Sequence, residues 1–347
     1  MAHDFLTLLS RDEFQALLTD FPLMKTETVP LEGVRGRVLT EELLAPEDLP
    51  QATRSCMDGY AVNARDLFGA SESNPSYLEL AGDIPVDHAP EQILERGHCM
   101  AIPTGGTLPQ GADAVVMVEH TLDMEGNIEI RKSIAPGDNV MLQGEDATTG
   151  VACLAAGTRL RTQEIGLLAA LGVSRVGVRS APRVAILSTG DELVPIESRP
   201  WPGQVRDVNS HTVACLVREA GGLPMSLGIS PDDLDGLTRT LAEGVGQFDV
   251  VLVSGGSSAG VRDLSVEAIE RIGGEVLAHG VAISPGKPTI LARRGSTPII
   301  GLPGQVTSVQ VVMHVLIMPF LRQLQGEPHP FARSSRNLVR AELAKNV

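Results

Sequence analysis

The chain has 347 residues, more than one ordinary domain holds, and 43% of them are hydrophobic, so we expect two or three domains with sizeable cores. Its net charge of −15 and its 3% of aromatic residues argue against a nucleic-acid binder, which needs a basic face and usually stacking aromatics. An anionic small-molecule ligand is still compatible with this charge, because such a ligand needs only a local positive site.

Targeting and metal signals are not found in the sequence. The N-terminal stretch has no signal-peptide pattern, and no apolar run reaches the length needed to span a bilayer. The four cysteines form no C-x-x-C pair, and the eight histidines show no ligand spacing. We therefore predict a cytoplasmic protein with reduced thiols, no structural zinc site and neither a membrane nor a nucleic acid as partner.

The first 45 residues begin with a predicted helix. Ser10 and Glu13 match a capping box, and Phe14, Leu17 and Leu18 mark one apolar face. A proline-rich stretch follows this helix, and we place a domain boundary near residue 46.

Residues 46–147 are rich in turns and short apolar runs, which predicts a β-rich domain with a hairpin tip at 125–127. A helix is predicted to begin at Thr162 and to stop at Gly172. Residues 148–180 have the simple interpretation of a linker. We favour their packing with residues 1–45 as a small discontinuous domain.

Strands and helices alternate in residues 181–326. The runs VAIL (184–187) and VVLV (250–253) predict buried strands, and VLAHGVAI and TPII are further candidates. Helices are predicted with a cap at Asn209 or Ser210, from Ser230-Pro231, from about Arg262 and from about Gln305. This order is typical of a multi-domain α/β protein whose three-layer α/β domain has a mainly parallel sheet.

Four small-residue loops lie at or just after the predicted strand ends, where α/β sheets bind ligands. They span residues 188–192, 254–260, 284–288 and 301–304, and together their backbone N–H groups can form an anion cradle. A single loop of this kind is most simply a strand–helix turn. Four of them on one sheet favour a phosphate-bearing ligand.

Two common nucleotide motifs do not fit the sequence. Gly255 and Gly260 have the glycine spacing of a P-loop, but Val261 and Arg262 stand where that motif needs Lys and Ser or Thr. No G-x-G-x-x-G follows a strand, so a Rossmann dinucleotide site is unsupported as well.

Acidic residues are the second signal at these loops. Each alone is more often a helix cap, but several beside a phosphate cradle suggest a divalent metal, most simply Mg²⁺. Lys287 has the alternative of a solvated surface lysine, and its Pro-Gly-Lys-Pro context favours contact with the ligand. The acids are Asp191, Glu192, Asp207, Asp232 and Asp263.

Eight motifs together resemble one family. They are SxMDGYAV (55–62), PTGGTLPQGADAVVMVE (103–119), GEDA (144–147), STGDEL (188–193), GQVRDVN (203–209), SGGSSAGxxD (254–263), SPGKP (284–288) and GLPG (301–304). In this order and spacing they resemble the molybdopterin molybdenumtransferase (MoeA and gephyrin E-domain) family over essentially the whole chain.

The resemblance implies an activity and an assembly. Such enzymes use Mg²⁺ to insert molybdenum from molybdate into adenylylated molybdopterin, releasing AMP. They form homodimers in which the α/β domain of one subunit and the β-rich domain of the other make the active cleft. Molybdopterin adenylyltransferase and the proteins that mature molybdoenzymes are further candidate partners.

The resemblance also assigns roles to residues by position. The catalytic positions are Asp58, Thr104, Glu192, Asp232 and Asp263, with Asp146 nearby, and Glu192, Asp232 and Asp263 are the metal candidates. The predicted ligand-binding residues are Ser188, Thr189, Gly190, Asp207, Ser254, Gly255, Gly256, Ser257, Gly260, Pro285, Gly286, Lys287, Pro303, Gly304 and Ser308.

The chain departs from the family pattern at several positions. Gly280 and Ser284 stand where basic residues are common, and Gln143 stands where a basic residue usually precedes GED. Gln305 and Val306 replace Asn and Pro in the last loop. The family has a further C-terminal β-domain, and we expect residues 327–347 to be only its beginning, after an α/β domain of 181–326.

These departures leave three functions open besides molybdenum insertion. The chain could be a non-catalytic paralogue that carries molybdopterin, or an insertase specific for tungstate. It could also catalyse the preceding adenylylation of molybdopterin, although the MDGYAV and PTGG segments argue against that.

Overall fold

The computed structural model describes residues 8–255 and 264–332. The chain forms two compact units, an α/β unit drawn from Met1–Glu41, Ala156–Ile165 and Ser174–Val347 and a β-rich unit drawn from Glu42–Ala155 and Gly166–Val173. The finer division into four segments stays a prediction.

The predicted first helix is confirmed. Helix α1 (Arg11–Thr19) begins with a capping box, in which the Ser10 hydroxyl accepts from the N–H of Glu13 at 3.2 Å and the Glu13 carboxylate accepts from the N–H of Ser10 at 2.8 Å. Phe14 and Leu18 are buried on its apolar face. Strand β1 (Thr26–Pro30) follows.

The β-rich unit is built on one six-stranded sheet. The strands of the whole unit, in chain order, are β2 (Leu43–Leu44), β3 (Arg54–Ser55), β4 (Gly59–Val62), β5 (Ser76–Asp83), β6 (His98–Ile102), β7 (Ala114–Met117), β8 (Thr121–Met124), β9 (Asn127–Ile130), β10 (Val140–Met141) and β11 (Ala152–Leu154). The sheet order is β7-β4-β6-β5-β9-β8, and β3 with β10 and β2 with β11 form separate pairs. Two 3-10 helices, Ala64–Leu67 and Val118–His120, also belong to this unit.

The predicted hairpin tip is also confirmed. Strands β8 and β9 are joined by Glu125 and Gly126, both with positive φ (57° and 92°), as a two-residue hairpin turn requires. Helix α2 (Thr162–Ala170) begins at the predicted residue, and Gly172 follows it with a φ of +69°. A glycine in this left-handed conformation is a common helix stop.

The α/β unit contains the remaining strands and helices. Its strands are β1 with β12 (Arg175–Arg179), then β13 (Arg183–Thr189), β14 (Leu193–Val194), β15 (Val205–Arg206), β16 (Leu223–Ser230), β17 (Val250–Ser254), β18 (Glu275–His279), β19 (Ile290–Arg294) and β20 (Thr297–Leu302). Its further helices are α3 (Asn209–Glu219), α4 (Leu234–Gln247), α5 (Leu264–Arg271), α6 (Val306–Val312) and α7 (Met318–Leu324), and a π-helical turn, Met313–Ile317, joins the last two.

The main sheet of this unit is mostly parallel, as predicted. Its order is β16-β13-β17-β20-β19-β18, and only β19 runs against the others. Alternate residues of the central strands pack on opposite faces, one against α1, α3, α6 and α7 and the other against α4 and α5. The unit therefore has three layers with a core on each side of the sheet.

Some predicted boundaries were wrong. The Val-Ala-Ile run before residue 284 is no strand, because Val281 forms only an isolated bridge and the segment belongs to the connection between β18 and β19. Helix α4 begins at Leu234 with Asp233 as its cap, four residues after Ser230. The sequence patterns also did not indicate β16, a half-exposed edge strand, or the antiparallel β19.

One stretch among the described residues, Val306–Leu324, is long and apolar enough to pass for a membrane span by length and composition. The sequence predicts no apolar run of this length, so this stretch departs from that expectation. More than half of this stretch, 56%, is buried inside the protein, where α6 and α7 pack on the sheet. Core helices commonly pass the same test, so it gives only weak support for a membrane partner.

Candidate active site

The polar ends of three parallel strands meet at one edge of the α/β sheet. Strand β17 lies between β13 and β20, which brings Ser188, Ser254 and Leu302 into register across the three strands. Strand β18 is parallel to these strands, because both it and β20 are antiparallel to β19. The loop after β18, which carries Lys287, therefore starts from the same edge. This is the edge at which open α/β sheets bind ligands.

Gly255 sits where no side chain fits. A Cβ on this residue would lie 2.0 Å from the carbonyl oxygen of Thr189, and its φ is +110°. The same Cα is 3.8 Å from the Cβ position of Gly304. Glycine here therefore lets the backbones at the ends of three strands approach one another.

Asn209 holds these strand ends together, a role the sequence did not reveal. Its Nδ2 donates to the Ser254 hydroxyl and to the Gly304 carbonyl, both at 2.8 Å. The residue was predicted as a candidate cap of α3 but is the first residue of that helix. The N-cap residue is Val208, and the buried carboxylate of Asp207, one residue earlier, accepts from the N–H of Ser210 at 3.0 Å.

Two pockets open at this edge, both within the size range of ligand sites. The first is about 330 Å³ and is lined by residues from the ends of β13 and β17, from α3 and from the loop before α6. The second is about 550 Å³ and lies on the β16 side, where Asp191, His211 and Pro231 contribute to its wall. The first pocket is lined by Ser188, Thr189, Glu192, Leu193, Val205, Arg206, Asp207, Val208, Asn209, Ser254, Gly255, Gly304, Gln305 and Val306.

Three of the predicted acids gather around the end of β13. The Thr189 hydroxyl donates to Asp232 at 2.9 Å, and the N–H of Asp232 donates to Asp191 at 3.1 Å. The Glu192 carboxylate lies over Gly190, since a Cβ there would be 2.7 Å from Glu192 Oε2. Residues 8–255 and 264–332 nevertheless contain no group of three or more acids, histidines or cysteines placed to hold a metal ion.

The two remaining predicted loops have defined shapes. In residues 284–288 the Ser284–Pro285 bond is cis, Gly286 is buried, and Lys287 is exposed. In the loop after β20, the buried Ser308 donates its hydroxyl to Gln305 Oε1 at 3.1 Å. Gln305, one of the departures from the family pattern, therefore contacts a predicted ligand residue directly.

Four predicted residues, Gly256, Ser257, Gly260 and Asp263, lie outside the described residues.

In the β-rich unit, Asp58 and Thr104 are brought together as a pair. They lie beside paired strands, Asp58 just before β4 and Thr104 just after β6. Asp58 Oδ1 accepts from the Thr104 N–H at 2.7 Å and from its hydroxyl at 2.9 Å. These two bonds hold the pKa of the Asp58 carboxyl below its usual value. Both residues are exposed, as is Asp146.

A second pair in this unit has the same geometry. Asp48 Oδ1 accepts from the Thr149 N–H at 2.8 Å and from its hydroxyl at 2.7 Å, and the Asp48 pKa is likewise lowered. Its other oxygen accepts from Gln143 at 2.8 Å. Gln143, where the family usually has a basic residue, thus ties its loop to Asp48.

The fold and the pockets define a class of protein: an α/β ligand-binding unit with a cleft at its carboxyl edge, together with a β-rich unit. Two family models match the chain in order. Residues 9–172 match the MoeA N-terminal region (domain I and II), and residues 185–323 match a probable molybdopterin binding domain.

Curated relatives and solved structures agree with these matches. The chain is 35% identical over 304 residues to a molybdopterin molybdenumtransferase of Nostoc sp., covering 87% of this chain and 70% of that protein. It is 36% identical over 320 residues to molybdopterin molybdenumtransferase 2 of Mycobacterium tuberculosis, covering 90% and 78%. A molybdopterin biosynthesis MoeA protein from Pyrococcus horikoshii OT3 superposes with a TM-score of 0.76 at 30% identity, covering 93% and 81%. The chain therefore belongs to the molybdopterin molybdenumtransferase family, as its motifs predicted.

Proposed function

We propose that this chain inserts molybdenum from molybdate into adenylylated molybdopterin, releasing AMP and forming the molybdenum cofactor. The observation that carries the proposal is the match of both family models, in order, over residues 9–172 and 185–323. The pocket at the carboxyl ends of β13, β17 and β20 is the proposed substrate site.

The residues at this edge suit a substrate that is bulky, polar and anionic. Gly255 has no side chain, so the backbone can approach the ligand closely at this point. Ser188 and Thr189, which carry hydroxyl groups, line the same pocket. Lys287 is exposed in a loop that starts from this edge and supplies a positive charge for a phosphate or molybdate oxygen. In this proposal the small side chains orient the substrate and Lys287 offsets part of its charge.

Mg²⁺ is the proposed metal of this site. Magnesium is usually bound through one or two carboxylates together with substrate phosphates, so the carboxylates of Asp232, Glu192 and Asp191 around Thr189 fit it without a complete protein cage. The bound ion would neutralise charge on the phosphate oxygens. Asp263, the third predicted metal residue, lies outside the described residues.

We further propose a cytoplasmic homodimer in which Asp58 and Thr104 of one subunit complete the substrate site of the other. The support is chemical: both residues are exposed, and Thr104 fixes Asp58 in its ionised form through two hydrogen bonds. All four cysteines are free, which suits a reducing compartment.

The test is AMP release from adenylylated molybdopterin and Mg²⁺, with and without molybdate or tungstate. We expect release that depends on molybdate. Release that depends on tungstate alone would identify a tungsten insertase. Tight binding without release would identify the carrier, and consumption of ATP with molybdopterin would identify the adenylylation step.

A lysine restored at Ser284 separates a weakened enzyme from a carrier. Gly280 is unsuited to this test because its φ of +113° strains any other residue, whereas Ser284 has no such restriction. If the missing charge limits turnover, Ser284→Lys raises AMP release above wild type. Ser296→Lys, in the turn between β19 and β20 at the far end of the sheet, is the matched control and leaves the rate unchanged.

A further inference from the structure

Two serines lie at the carboxyl ends of neighbouring strands, on the same face of the α/β sheet. On the side that packs against α3, β13 presents Val184, Ile186 and then Ser188, and β17 presents Val250, Leu252 and then Ser254. Side chains two residues apart in a strand share a face, and Ser188 and Ser254 are register partners. Both serines are buried. The apolar layer under α3 therefore ends in two neighbouring hydroxyls.

The two hydroxyls differ in whether they have a hydrogen-bond partner. Ser254 Oγ accepts from Asn209 Nδ2 at 2.8 Å. Ser188 is 1% exposed, and its hydroxyl has no hydrogen-bond partner among residues 8–255 and 264–332. Asn209 is 9% exposed, and its Oδ1 likewise has no partner in the described part of the chain. All three residues line the same pocket of about 330 Å³.

The orientation of the Asn209 amide is fixed by its neighbours. The Gly304 carbonyl, 2.8 Å away, can only accept, so the atom that faces it must be the nitrogen. Oδ1 is therefore a hydrogen-bond acceptor, and Ser188 Oγ is free to donate. Buried polar atoms without partners are uncommon because each costs free energy. Ser188 and Asn209 both line this pocket, so a ligand bound there is one way to satisfy the two atoms.

We propose that Ser188 Oγ and Asn209 Oδ1 bind the edge of a flat heterocycle that carries a hydrogen-bond acceptor beside an N–H donor. The hydroxyl donates to the acceptor, and the amide oxygen accepts from the N–H group. This inference rests on the proposed function, whose substrate contains two such edges, the pterin lactam and the adenine. An ionised phosphate has only acceptors, so it cannot satisfy Asn209 Oδ1.

The test compares Ser188→Ala with Ser254→Ala. The two serines are register partners on one face, and of their two hydroxyls only that of Ser254 has a hydrogen-bond partner among the described residues. Binding of AMP, of molybdopterin and of pyrophosphate is measured by titration calorimetry for each variant and for wild type, together with the thermal midpoint of the ligand-free protein. AMP and molybdopterin identify which heterocycle is bound, and pyrophosphate is the control ligand without a heterocycle.

For Ser188→Ala we expect weaker binding of one heterocycle by at least about fivefold, with pyrophosphate unchanged. Its thermal midpoint stays equal to wild type or rises, because the lost hydroxyl has no partner in the described structure. Ser254→Ala lowers the midpoint, because Asn209 loses an acceptor. A structural role for Ser188 would instead lower its midpoint as well.

Other outcomes overturn the inference. If Ser188→Ala bound AMP as tightly as wild type, and molybdopterin as tightly as wild type, the Ser188 hydroxyl would have no part in ligand recognition. The proposed function would not be affected by that result. An equal loss for pyrophosphate would mean that the pocket was distorted rather than deprived of one contact. If wild type binds neither AMP nor molybdopterin, the proposed function fails together with this inference.

Discussion

Two aspartates of the β-rich unit, Asp58 and Asp48, make the same pair of hydrogen bonds and differ in one oxygen. In each, Oδ1 accepts from the N–H and the hydroxyl of one threonine. Asp48 uses its second oxygen as well, to accept from Gln143. Within the described part of the chain, Oδ2 of Asp58 receives no hydrogen bond. Both oxygens of Asp48 are therefore used in hydrogen bonds within the fold, whereas Asp58 has one oxygen available for a ligand.

The α/β unit repeats this contrast with Ser254 and Ser188. Ser254 Oγ accepts a hydrogen bond from Asn209, whereas Ser188 Oγ has no partner within residues 8–255 and 264–332. We propose that a polar atom with no partner in the fold marks a functional side chain better than one already used in hydrogen bonds within the protein. The following predictions challenge that criterion.

The largest expected effect is on activity. Asp58→Asn should reduce AMP release by about 100-fold, since the amide removes the negative charge from the spare oxygen position. Asp48→Asn should change it less than about twofold. Both asparagines can still accept the two threonine bonds through their remaining oxygen, so both variants should fold. Equal losses of activity in the two variants would contradict the proposal that Asp58 acts on the substrate and Asp48 only stabilises the fold.

The next effect is on stability and concerns the turn that brings the strand ends together. Gly255→Ala should lower the free energy of unfolding by about 3 kcal/mol, because it combines an unfavourable φ with a backbone clash against Thr189. Gly203 has a similar φ of +98° with nothing within 4 Å of a Cβ, so Gly203→Ala should cost only about 1 kcal/mol. Urea unfolding measures the free energy of unfolding of both variants. Similar losses of stability would mean that the positive φ, and not the clash with Thr189, determines the effect.

The features predicted correctly from the sequence are those that depend on residues close together along the chain. The capping box of α1 joins residues three apart, and the β8–β9 turn needs only Glu125 and Gly126. Strands β13 and β17 were visible because strands buried on both faces are continuous apolar runs. Strand β16 has one neighbour and is half exposed, so no such run marked it.

The site was predicted by residue type but not by contact. Motif spacing identified Asp58, Thr104 and Ser188, and nothing local paired Asp58 with a threonine 46 residues away. Asn209 was read as a helix cap because Asn often is one, whereas its partners lie 45 and 95 residues along the chain. The difference between Ser188 and Ser254 depends wholly on where that one side chain lies in the folded protein.

The smallest effect is on stability, and it should rank the two aspartates in the opposite order. Thr149 and Gln143 lower the pKa of Asp48, and Thr104 lowers that of Asp58, so the folded protein favours both ionised forms. A lowered pKa contributes stability above the unfolded value of about 3.9, and that stability is lost as the pH falls through the folded value. Asp48→Asn should therefore destabilise the protein more than Asp58→Asn at pH 7, because Asp48 has three bonds rather than two. Both differences from wild type should shrink at pH 3, where the wild-type carboxyls begin to protonate, and urea unfolding at the two pH values measures this. If Asp58→Asn were the more destabilising at pH 7, Asp58 would be a structural residue and its spare oxygen incidental.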